Sequence, residues 1–555
     1  MVTGSYNPTR FKIGIIAFIL LLINSFNSID CQEKTYNFFY RIYLKDKGTN
    51  DITDFSPGDL LSEKAVKSRE NADIPVPDIR DIPVFSGYIN QIKALGFKLH
   101  CTSRWMNTAL FKTEVMADIG VLLNLPFVSK VKIVKNTSGK SQSYDKLSFK
   151  TGQEDLPYDQ PLIMLNGRTI HNSGLNGKGI LIAVLDGGFS NADNISSLDG
   201  IRRRDGIKGT FDFVKKDEFV YGFHNHGTAV LSVLAGIIPE SIEGTAPGAD
   251  YWLLRSEDTE TEFPVEEDFW TAAAEFADSL GADIITSSLG YYTFDDPSMN
   301  YKFSDLDGNK TFITQAADIA ASKGILVVNS AGNERNKTWI RIIAPADGDS
   351  VLAVGAVDGY KSISAFSSAG PSYDRQIKPD VVSQGVNVPV QVQASTVDRS
   401  SGTSFSCPII SGMCACIMQA VPGVLNSEII SELHSASDRF LKPDSLYGYG
   451  IPDIAVAINR LQDKYIKKPG DGSVISPNPF SDELKITFRE IPGQLRFEVY
   501  DINGKLVMKK DFRDYISRTL ILDDFQYLRN GIYFVRLITP DGTFIHKVIK
   551  VNNLL

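Results

Sequence analysis

The stretch Ile180-Leu-Ile-Ala-Val-Leu-Asp-Gly-Gly188 decides the fold of the central part of this chain. Six apolar residues in succession are typical of a strand that is buried on both faces, as strands of a parallel sheet are. The run ends in Asp186, and a carboxylate at the end of a buried strand is costly unless a partner group compensates its charge. The stretch therefore predicts an interior parallel strand whose carboxyl end carries a charge in need of a partner.

The same kind of apolar run appears three more times further along the chain, at Ile284-Ile285, Ile325-Leu-Val-Val328 and Val351-Leu-Ala-Val354. Segments with helical spacing, such as 269–280 and 313–322, lie between the runs. Alternation of buried strands with helices predicts an α/β fold with a doubly wound parallel sheet. We expect this domain to span residues 146–462.

The size and charge of the chain limit what it does. Its 555 residues are enough for about three domains of ~100–200 residues each. The hydrophobic content of 43% and the charged content of 22% are ordinary for folded protein. The net charge is −9 and no long run has one sign, so the sequence lacks the basic surface that a nucleic-acid-binding protein needs.

The N-terminus carries an export signal. Arg10 and Lys12 are followed by the apolar run 13–23, which is shorter than the ~20 residues that cross a bilayer. This pattern predicts a signal peptide over residues 1–32, and hence a protein outside the cytoplasm. The alternative is a retained N-terminal membrane anchor.

Two smaller domains flank the central one. Residues 33–145 alternate strand and helix patterns, which predicts a small α+β domain, and the polar stretch 140–159 reads as a linker. A second linker is expected over 463–474. Residues 475–555 alternate with period 2 around the Asn503-Gly504 hairpin turn, which predicts an all-β sandwich.

The cysteines and one acidic stretch carry the side-chain types that bind metal ions. The five cysteines have no metal-site spacing, and three of them, Cys407, Cys414 and Cys416, lie in an apolar helical stretch where we expect small buried side chains. Asp305-Leu-Asp-Gly-Asn309 is rich in oxygen ligands but lacks the closing glutamate of an EF-hand loop. We expect a surface turn there, and structural calcium and the disulfide state stay open.

Three short polar segments of the central domain are informative because of the order in which they occur. They are Asp186, then His224-Asn-His-Gly-Thr-Ala-Val230, then Ser401-Gly-Thr-Ser-Phe-Ser-Cys-Pro408. Each alone has an ordinary explanation as a strand end, a loop or a helix cap. Together they follow the chain order of the subtilisin catalytic triad. A hydroxyl at a helix N-terminus also suits a nucleophile, because backbone N–H groups there favour developing negative charge.

Residues of about 160 to 460 resemble the subtilisin-like serine peptidases, the subtilases. Beside the three segments, the resemblance rests on Gly244-Thr-Ala-Pro-Gly-Ala249, Ser287-Ser-Leu-Gly290 and Ser330-Ala-Gly-Asn-Glu334. It implies a subtilisin-like fold and a secreted serine endopeptidase that needs no cofactor for catalysis. The implied site consists of catalytic Asp186, His226 and Ser404, oxyanion donors Asn333 and the Ser404 backbone N–H, and substrate-binding Ser288, Leu289 and Gly290.

The resemblance also implies the reaction. Ser404 attacks the peptide carbonyl to form an acyl-enzyme, His226 moves the proton, and Asp186 orients the imidazole. His226 is preferred to His224 because only His226 is followed by Gly-Thr. The chain departs from the usual pattern at Gly187 and at 405–407, which leaves the reacting groups in place.

The flanking domains resemble known modules as well. Residues 33–145 are similar to the pro-regions of Bacteroidetes subtilases, including Ser103-Arg-Trp-Met-Asn107 and Leu125-Pro-Phe-Val128, which implies a zymogen inhibited by its own pro-domain. The alternative is a permanent accessory domain. The last 80 or so residues resemble the sorting domain of type IX secretion, through Ser476-Pro-Asn-Pro-Phe480, Tyr500-Asp-Ile-Asn-Gly-Lys505 and Asn530-Gly-Ile-Tyr-Phe534.

The sorting domain implies that the secretion machinery is a partner and that the protein is secreted or displayed at the outer-membrane surface. A carbohydrate- or protein-binding sandwich is the alternative for this domain. For the whole chain, the alternatives are a catalytically inactive subtilase-fold adhesin or scaffold, and a sedolisin-type peptidase. His226 in its His-Gly-Thr context and Asn333 both favour subtilisin chemistry.

Overall fold

The structure, a computed structural model, describes residues 37–136, 150–151, 156–465 and 472–551, so the predicted signal peptide lies outside it. The N-terminal region is an antiparallel sheet of order β2-β3-β1-β4, formed by β1 (Phe38–Leu44), β2 (Lys98–Ser103), β3 (Thr108–Thr113) and β4 (Val128–Asn136). Its helices are α1 (Pro57–Leu60), α2 (Glu63–Asn71), α3 (Ser86–Ala94) and α4 (Gly120–Leu123). This arrangement confirms the predicted α+β region.

One predicted helix in this region is shorter in the structure. The spacing predicts a helix over 115–125, but only Gly120–Leu123 is helical. The Asp118 carboxylate accepts a hydrogen bond from the Gly120 N–H at 2.8 Å. This local hydrogen bond of a side chain to the backbone lies directly before the helix and competes with helical bonding there.

The central domain contains twelve strands and nine helices among the described residues. The strands are β5 (Lys150–Thr151), β6 (Leu181–Asp186), β7 (Ile207–Asp212), β8 (Ile237–Ile238), β9 (Ile242–Glu243), β10 (Asp250–Arg255), β11 (Ile284–Ser287), β12 (Leu326–Ser330), β13 (Val351–Val357), β14 (Val381–Gln384), β15 (Val388–Gln393) and β16 (Thr396–Ser401). The helices are α5 (Gln160–Met164), α6 (Gly167–Asn172), α7 (Asp199–Arg203), α8 (His226–Ala235), α9 (Val265–Leu280), α10 (Phe312–Ser322), α11 (Thr403–Ala420), α12 (Asn426–Ser435) and α13 (Ile454–Tyr465).

Seven of these strands form one parallel sheet of order β14-β13-β12-β11-β6-β10-β7, which confirms the predicted doubly wound fold. In β6, Ile182 and Val184 join the core cluster that contains α8 and α11, whereas Ala183 and Leu185 join the cluster that contains α9 and α10. Each face of β6 is therefore covered by helices, which is why its sequence is apolar throughout. The carboxyl ends of the strands share one edge, where Asp186 lies.

Helix α11 is long and apolar enough to cross a membrane by length and composition. It is also mostly buried within the protein, between α8 and strands of the central sheet. Its apolar sequence is therefore that of a core helix.

The C-terminal domain is a sandwich of two antiparallel sheets. Its strands are β17 (Ser473–Ser476), β18 (Leu484–Phe488), β19 (Gly493–Asp501), β20 (Leu506–Tyr515), β21 (Thr519–Leu522), β22 (Gly531–Thr539) and β23 (Gly542–Lys550). They form the sheets β17-β18-β21 and β20-β19-β22-β23 around one core cluster, as the alternating sequence predicts. Because α13 runs to Tyr465 and β17 begins at Ser473, regular elements extend into both ends of the predicted linker 463–474.

The N-terminal region packs on α9 through buried ion pairs. The guanidinium of Arg41 is fully buried, lies 2.6 Å from the Asp268 carboxylate, and stacks over the Phe312 ring at 3.5 Å. Arg69 makes a second buried pair with Asp278 at 2.6 Å. Arginines of one region and carboxylates of the other therefore compensate each other's burial.

We expect replacement of Arg41 by methionine to lower the stability of the chain far more than the same exchange at Lys64. Removal of Arg41 leaves the carboxylates of Asp268 and Glu267 buried without their cation, which costs about 3–5 kcal/mol. Lys64 makes a comparable contact with Asp283, but its side chain is 41% exposed, and such pairs contribute about 0–1 kcal/mol. Thermal unfolding of both variants, each in a Ser404→Ala background that keeps the chain intact, measures the difference. Equal shifts in Tm would contradict the buried-pair account.

Candidate active site

Asp186 ends β6 at the carboxyl edge of the sheet and is completely buried. Its carboxylate accepts the Gly187 backbone N–H at 2.7 Å, and both oxygens lie 2.9 Å from Nδ1 of His226. An ionised carboxylate only accepts hydrogen bonds, so the neutral imidazole carries its proton on Nδ1 and keeps a lone pair on Nε2. Asp186 thus has the partner that its position requires, and the histidine is oriented as a base.

His226 is the first residue of α8 and is nearly buried. The Gly227 N–H donates to Gly188 O at 3.0 Å, and a Cβ on Gly227 would lie only 2.5 Å from that oxygen. The Thr228 hydroxyl donates to Ser190 O at 2.7 Å. The Gly-Thr pair therefore holds the start of α8 against the loop that follows β6, which explains why these residues accompany the histidine.

Ser404 is the second residue of α11 and is 8% exposed. Its neighbour Phe405 has a ring centroid 6.2 Å from that of His226, so the first turns of α8 and α11 meet. The Ser404 carbonyl accepts a hydrogen bond from the Ser288 hydroxyl at 3.0 Å. The structure thus places the His226 ring, which is bonded to Asp186, beside the first turn of the helix that carries Ser404.

The Asn333 side chain is oriented by the turn that precedes Ser404. Its Oδ1 accepts from the Thr403 backbone N–H at 2.9 Å and from the Thr403 hydroxyl at 3.0 Å. A Cβ built on Gly402 would lie 3.6 Å from Asn333 Nδ2 and 3.7 Å from the Ser404 backbone nitrogen. Asn333 Nδ2 and the Ser404 backbone nitrogen therefore both lie close to one point beside Gly402.

The segment Ser288–Gly290 follows β11 and borders the same region. The Leu289 carbonyl accepts from Asn329 Nδ2 at 3.0 Å, and Leu289 itself is nearly buried. Because Ser288 is bonded to the Ser404 carbonyl, the segment is fixed relative to the candidate nucleophile. Gly290 is partly exposed at its end.

The thiols in α11 are part of the core. Cys407, Cys414 and Cys416 are fully buried, as the sequence predicts, and the structure shows them as free thiols. Cys407 Sγ lies 3.6 Å from Ser287 O and 3.5 Å from Val328 O, and burial raises the pKa of the thiol to about 12. It is therefore a packed, protonated thiol beneath the nucleophile turn.

The group of carboxylates that converges in the structure differs from the acidic stretch that the sequence indicates. Asp305 of the predicted surface turn pairs with Lys310. The carboxylates of Glu257, Glu262 and Glu266, by contrast, offer oxygens within 4.8 Å of one another, close enough to hold a cation. The sequence patterns do not predict this group, although its glutamates lie close together in the sequence, from the residues that follow β10 to the first turn of α9.

Three protein-family models match three different parts of the chain. Residues 177–450 match the Subtilase family, residues 39–148 match the peptidase S8 propeptide domain of Bacteroidota, and residues 474–551 match the secretion system C-terminal sorting domain.

Individual relatives cover about half of the chain. Subtilisin DY of Bacillus licheniformis is 27% identical over 309 residues, which is 55% of this chain and 99% of that protein. Subtilisin Savinase of Lederbergia lenta is 28% identical over 52% of this chain and 93% of its own length. A solved structure of MycP1 with its N-terminal propeptide removed covers 55% of this chain and 97% of its own, at 21% identity and a TM-score of 0.43.

If the two N–H groups bind an oxyanion, replacement of Asn333 by alanine lowers kcat by about 10²–10³-fold and changes KM little, because the donor acts only on developing charge. Thr403→Val, which removes one of the two donors that orient the amide, should reduce kcat less, and Thr403→Ser should retain most of it. Steady-state hydrolysis of a chromogenic peptide measures both constants. A loss that appears in KM alone would assign Asn333 to substrate binding.

Proposed function

Residues 177–450 of this chain belong to the subtilase family, and on that premise we propose that the protein is a secreted serine endopeptidase with Asp186, His226 and Ser404 as its triad. The observation that carries the proposal is the hydrogen bond between His226 Nδ1 and the buried Asp186 carboxylate, at the point where the α11 turn presents Ser404. Its substrates are proteins or peptides, and catalysis uses no cofactor.

The proposed reaction follows the roles that this geometry supports. Ser404 Oγ attacks the substrate carbonyl while His226 Nε2 takes the hydroxyl proton, and Asp186 stabilises the resulting imidazolium. The oxyanion is bound by Asn333 Nδ2 and the Ser404 backbone N–H. His226 then gives its proton to the leaving amine, and a water molecule that His226 deprotonates hydrolyses the acyl-enzyme.

Casein hydrolysis by the secreted chain, compared with its Ser404→Ala variant, tests the proposal. We expect activity in the parent and none detectable in the variant, since loss of the nucleophile in subtilisin lowers kcat by about 10⁶-fold. Ser406→Ala is the matched control, because this buried serine lies in the same turn and its hydroxyl donates only to Thr403 O among the contacts described. A folded, processed parent without activity would favour the inactive scaffold.

The N-terminal region acts as an intramolecular inhibitor in this proposal, and the chain is made as a zymogen. Its match to the S8 propeptide family supports the role. Beyond it, Lys150 pairs with Ser401, three residues before the nucleophile, so the chain that follows the pro-domain passes beside the active site. We place the activating cleavage between about residues 135 and 160.

The C-terminal domain directs export in the proposal, with the type IX secretion machinery as its partner and the cell surface or medium as the destination. The match of residues 474–551 to the sorting-domain family supports this role. The domain has its own core and touches the peptidase domain through contacts such as Arg518 with Asp463 and Gln462 with Thr519.

A buried histidine makes the docking of the pro-domain sensitive to acid. His100 Nε2 donates to Phe213 O at 2.9 Å, and its ring packs against Phe39 and Phe269. Burial, together with the ammonium groups of Lys112, Lys216 and Lys135, lowers the pKa of His100 to about 3. The docked state therefore holds this ring neutral, whereas an exposed histidine takes up a proton near pH 6.5.

Between about pH 6.5 and pH 3, the separated state binds more protons at His100 than the docked state does. The stability that neutral, docked His100 contributes is therefore present above pH 6.5 and is lost as the pH falls, by up to about 1.4 kcal/mol per pH unit. His100→Gln keeps a donor for Phe213 O but does not titrate. We expect the Tm of the Ser404→Ala chain to fall more steeply between pH 7 and pH 5 than that of the same chain with His100→Gln. Parallel curves would show that His100 does not couple docking to pH.

A further inference from the structure

Two glycines beside the proposed catalytic centre face the same isoleucine. A Cβ on Gly290 would lie 2.6 Å from both Cδ1 and Cγ1 of Ile343. A Cβ on Gly332 would lie 3.0 Å from the same two atoms. The Ile343 side chain therefore occupies the space between the end of the segment Ser288–Gly290 and the loop that carries Asn333.

The backbone around Ile343 joins these two segments. The Ile343 N–H donates to Ala331 O at 3.3 Å, next to Gly332. Ala344 and Tyr291 exchange two backbone hydrogen bonds, of 2.8 and 3.2 Å, next to Gly290. Ile343 thus closes the inner end of a gap whose two walls are 288–290 and 331–333, which we call the side-chain slot.

A substrate side chain enters this slot if the proposed function holds, on which the inference rests. The carbonyl oxygen attacked by Ser404 is placed between Asn333 Nδ2 and the Ser404 N–H, and the substrate backbone extends along Ser288–Gly290. The residue that bears this carbonyl, directly before the scissile bond, then has its Cα between the two walls. Its side chain points into the slot, toward Ile343.

We infer that Ile343 fills the inner part of the slot and makes the enzyme selective for a small residue, such as alanine or serine, before the scissile bond. An aromatic or leucine side chain requires the volume that the Ile343 atoms occupy between the two glycines. Ile343 is only 8% exposed and is held at its backbone on both sides, so it does not move aside without breaking contacts with the walls.

The carboxylate of Glu334, beside the loop that carries Asn333, does not add a preference for basic residues. Glu334 follows Asn333 directly, but its carboxylate accepts the Tyr292 hydroxyl and pairs with Lys337 at 2.9 Å. The Tyr292 ring is in turn stacked on Trp339, with centroids 4.7 Å apart. Because this carboxylate is already satisfied within the chain, size rather than charge decides the selection.

The test compares hydrolysis of tetrapeptide p-nitroanilides that differ only in the residue before the scissile bond, using the processed enzyme. For the parent we expect kcat/KM with alanine to exceed that with phenylalanine or leucine by at least about tenfold, the size of effect that one methylene makes in a closed apolar pocket. Ile343→Gly should raise kcat/KM for phenylalanine by about tenfold or more and so reverse or abolish the preference for alanine over phenylalanine.

Two smaller substitutions keep the inference testable if Ile343→Gly prevents folding. Ile343→Val removes one methyl group from the slot and should shift selectivity in the same direction to a smaller extent. Ile342→Val makes the same change at a fully buried neighbour that donates its N–H to Ala369 O, and should leave the order of substrates unchanged.

Each other outcome overturns the inference. A parent that cleaves phenylalanine and alanine substrates equally well, or Ile343 variants that gain nothing with phenylalanine, would show that Ile343 does not close the slot. A parent that cleaves casein but prefers lysine would assign selection to charge. A folded parent that cleaves neither casein nor any peptide would instead refute the proposed function, and the inference with it.

Discussion

The structure depends on the burial of one charge, the Asp186 carboxylate at the end of β6. A buried carboxylate is tolerated only when hydrogen-bond donors compensate it, and here the Gly187 N–H and His226 Nδ1 do so. This requirement fixes the start of α8 against the end of β6, and the absent side chain of Gly227 makes the close approach sterically feasible. The same contact orients the imidazole, so one interaction serves both folding and the proposed chemistry.

The interface between the N-terminal region and the peptidase domain follows a different principle. Its central contacts are ion pairs such as Arg41 with Asp268 and Arg69 with Asp278, which are buried only while the two parts are together. Buried ion pairs add little net stability compared with apolar contacts, but both partners become well solvated when they separate. This suits a pro-domain that covers α9 during folding and later leaves two soluble surfaces behind, which is the role that we propose for it.

In the function that we propose, reactivity and selectivity depend on different parts of the sequence. The reacting groups lie in short motifs at the ends of β6, α8 and α11, where helix starts and strand ends meet at one edge of the sheet. Ile343, to which we attribute the choice of substrate, lies outside these motifs in a loop that bridges two segments. If both proposals hold, substitutions in that loop would change the preferred residue without disturbing the groups that react.

The sequence by itself determined the elements and their class. The apolar run 180–185 specified a strand buried on both faces, the alternation near Asn503-Gly504 specified the C-terminal sandwich, and the motif order indicated Asp186, His226 and Ser404. These signals are local, because period and composition act over a few residues. Only the tertiary structure decided that Gly290, Gly332 and Ile343 meet, that three glutamates converge, and that α9 receives arginines from a region more than 200 positions away. Such contacts depend on how helices and strands pack against one another, and the pattern of neighbouring residues in the sequence does not predict them.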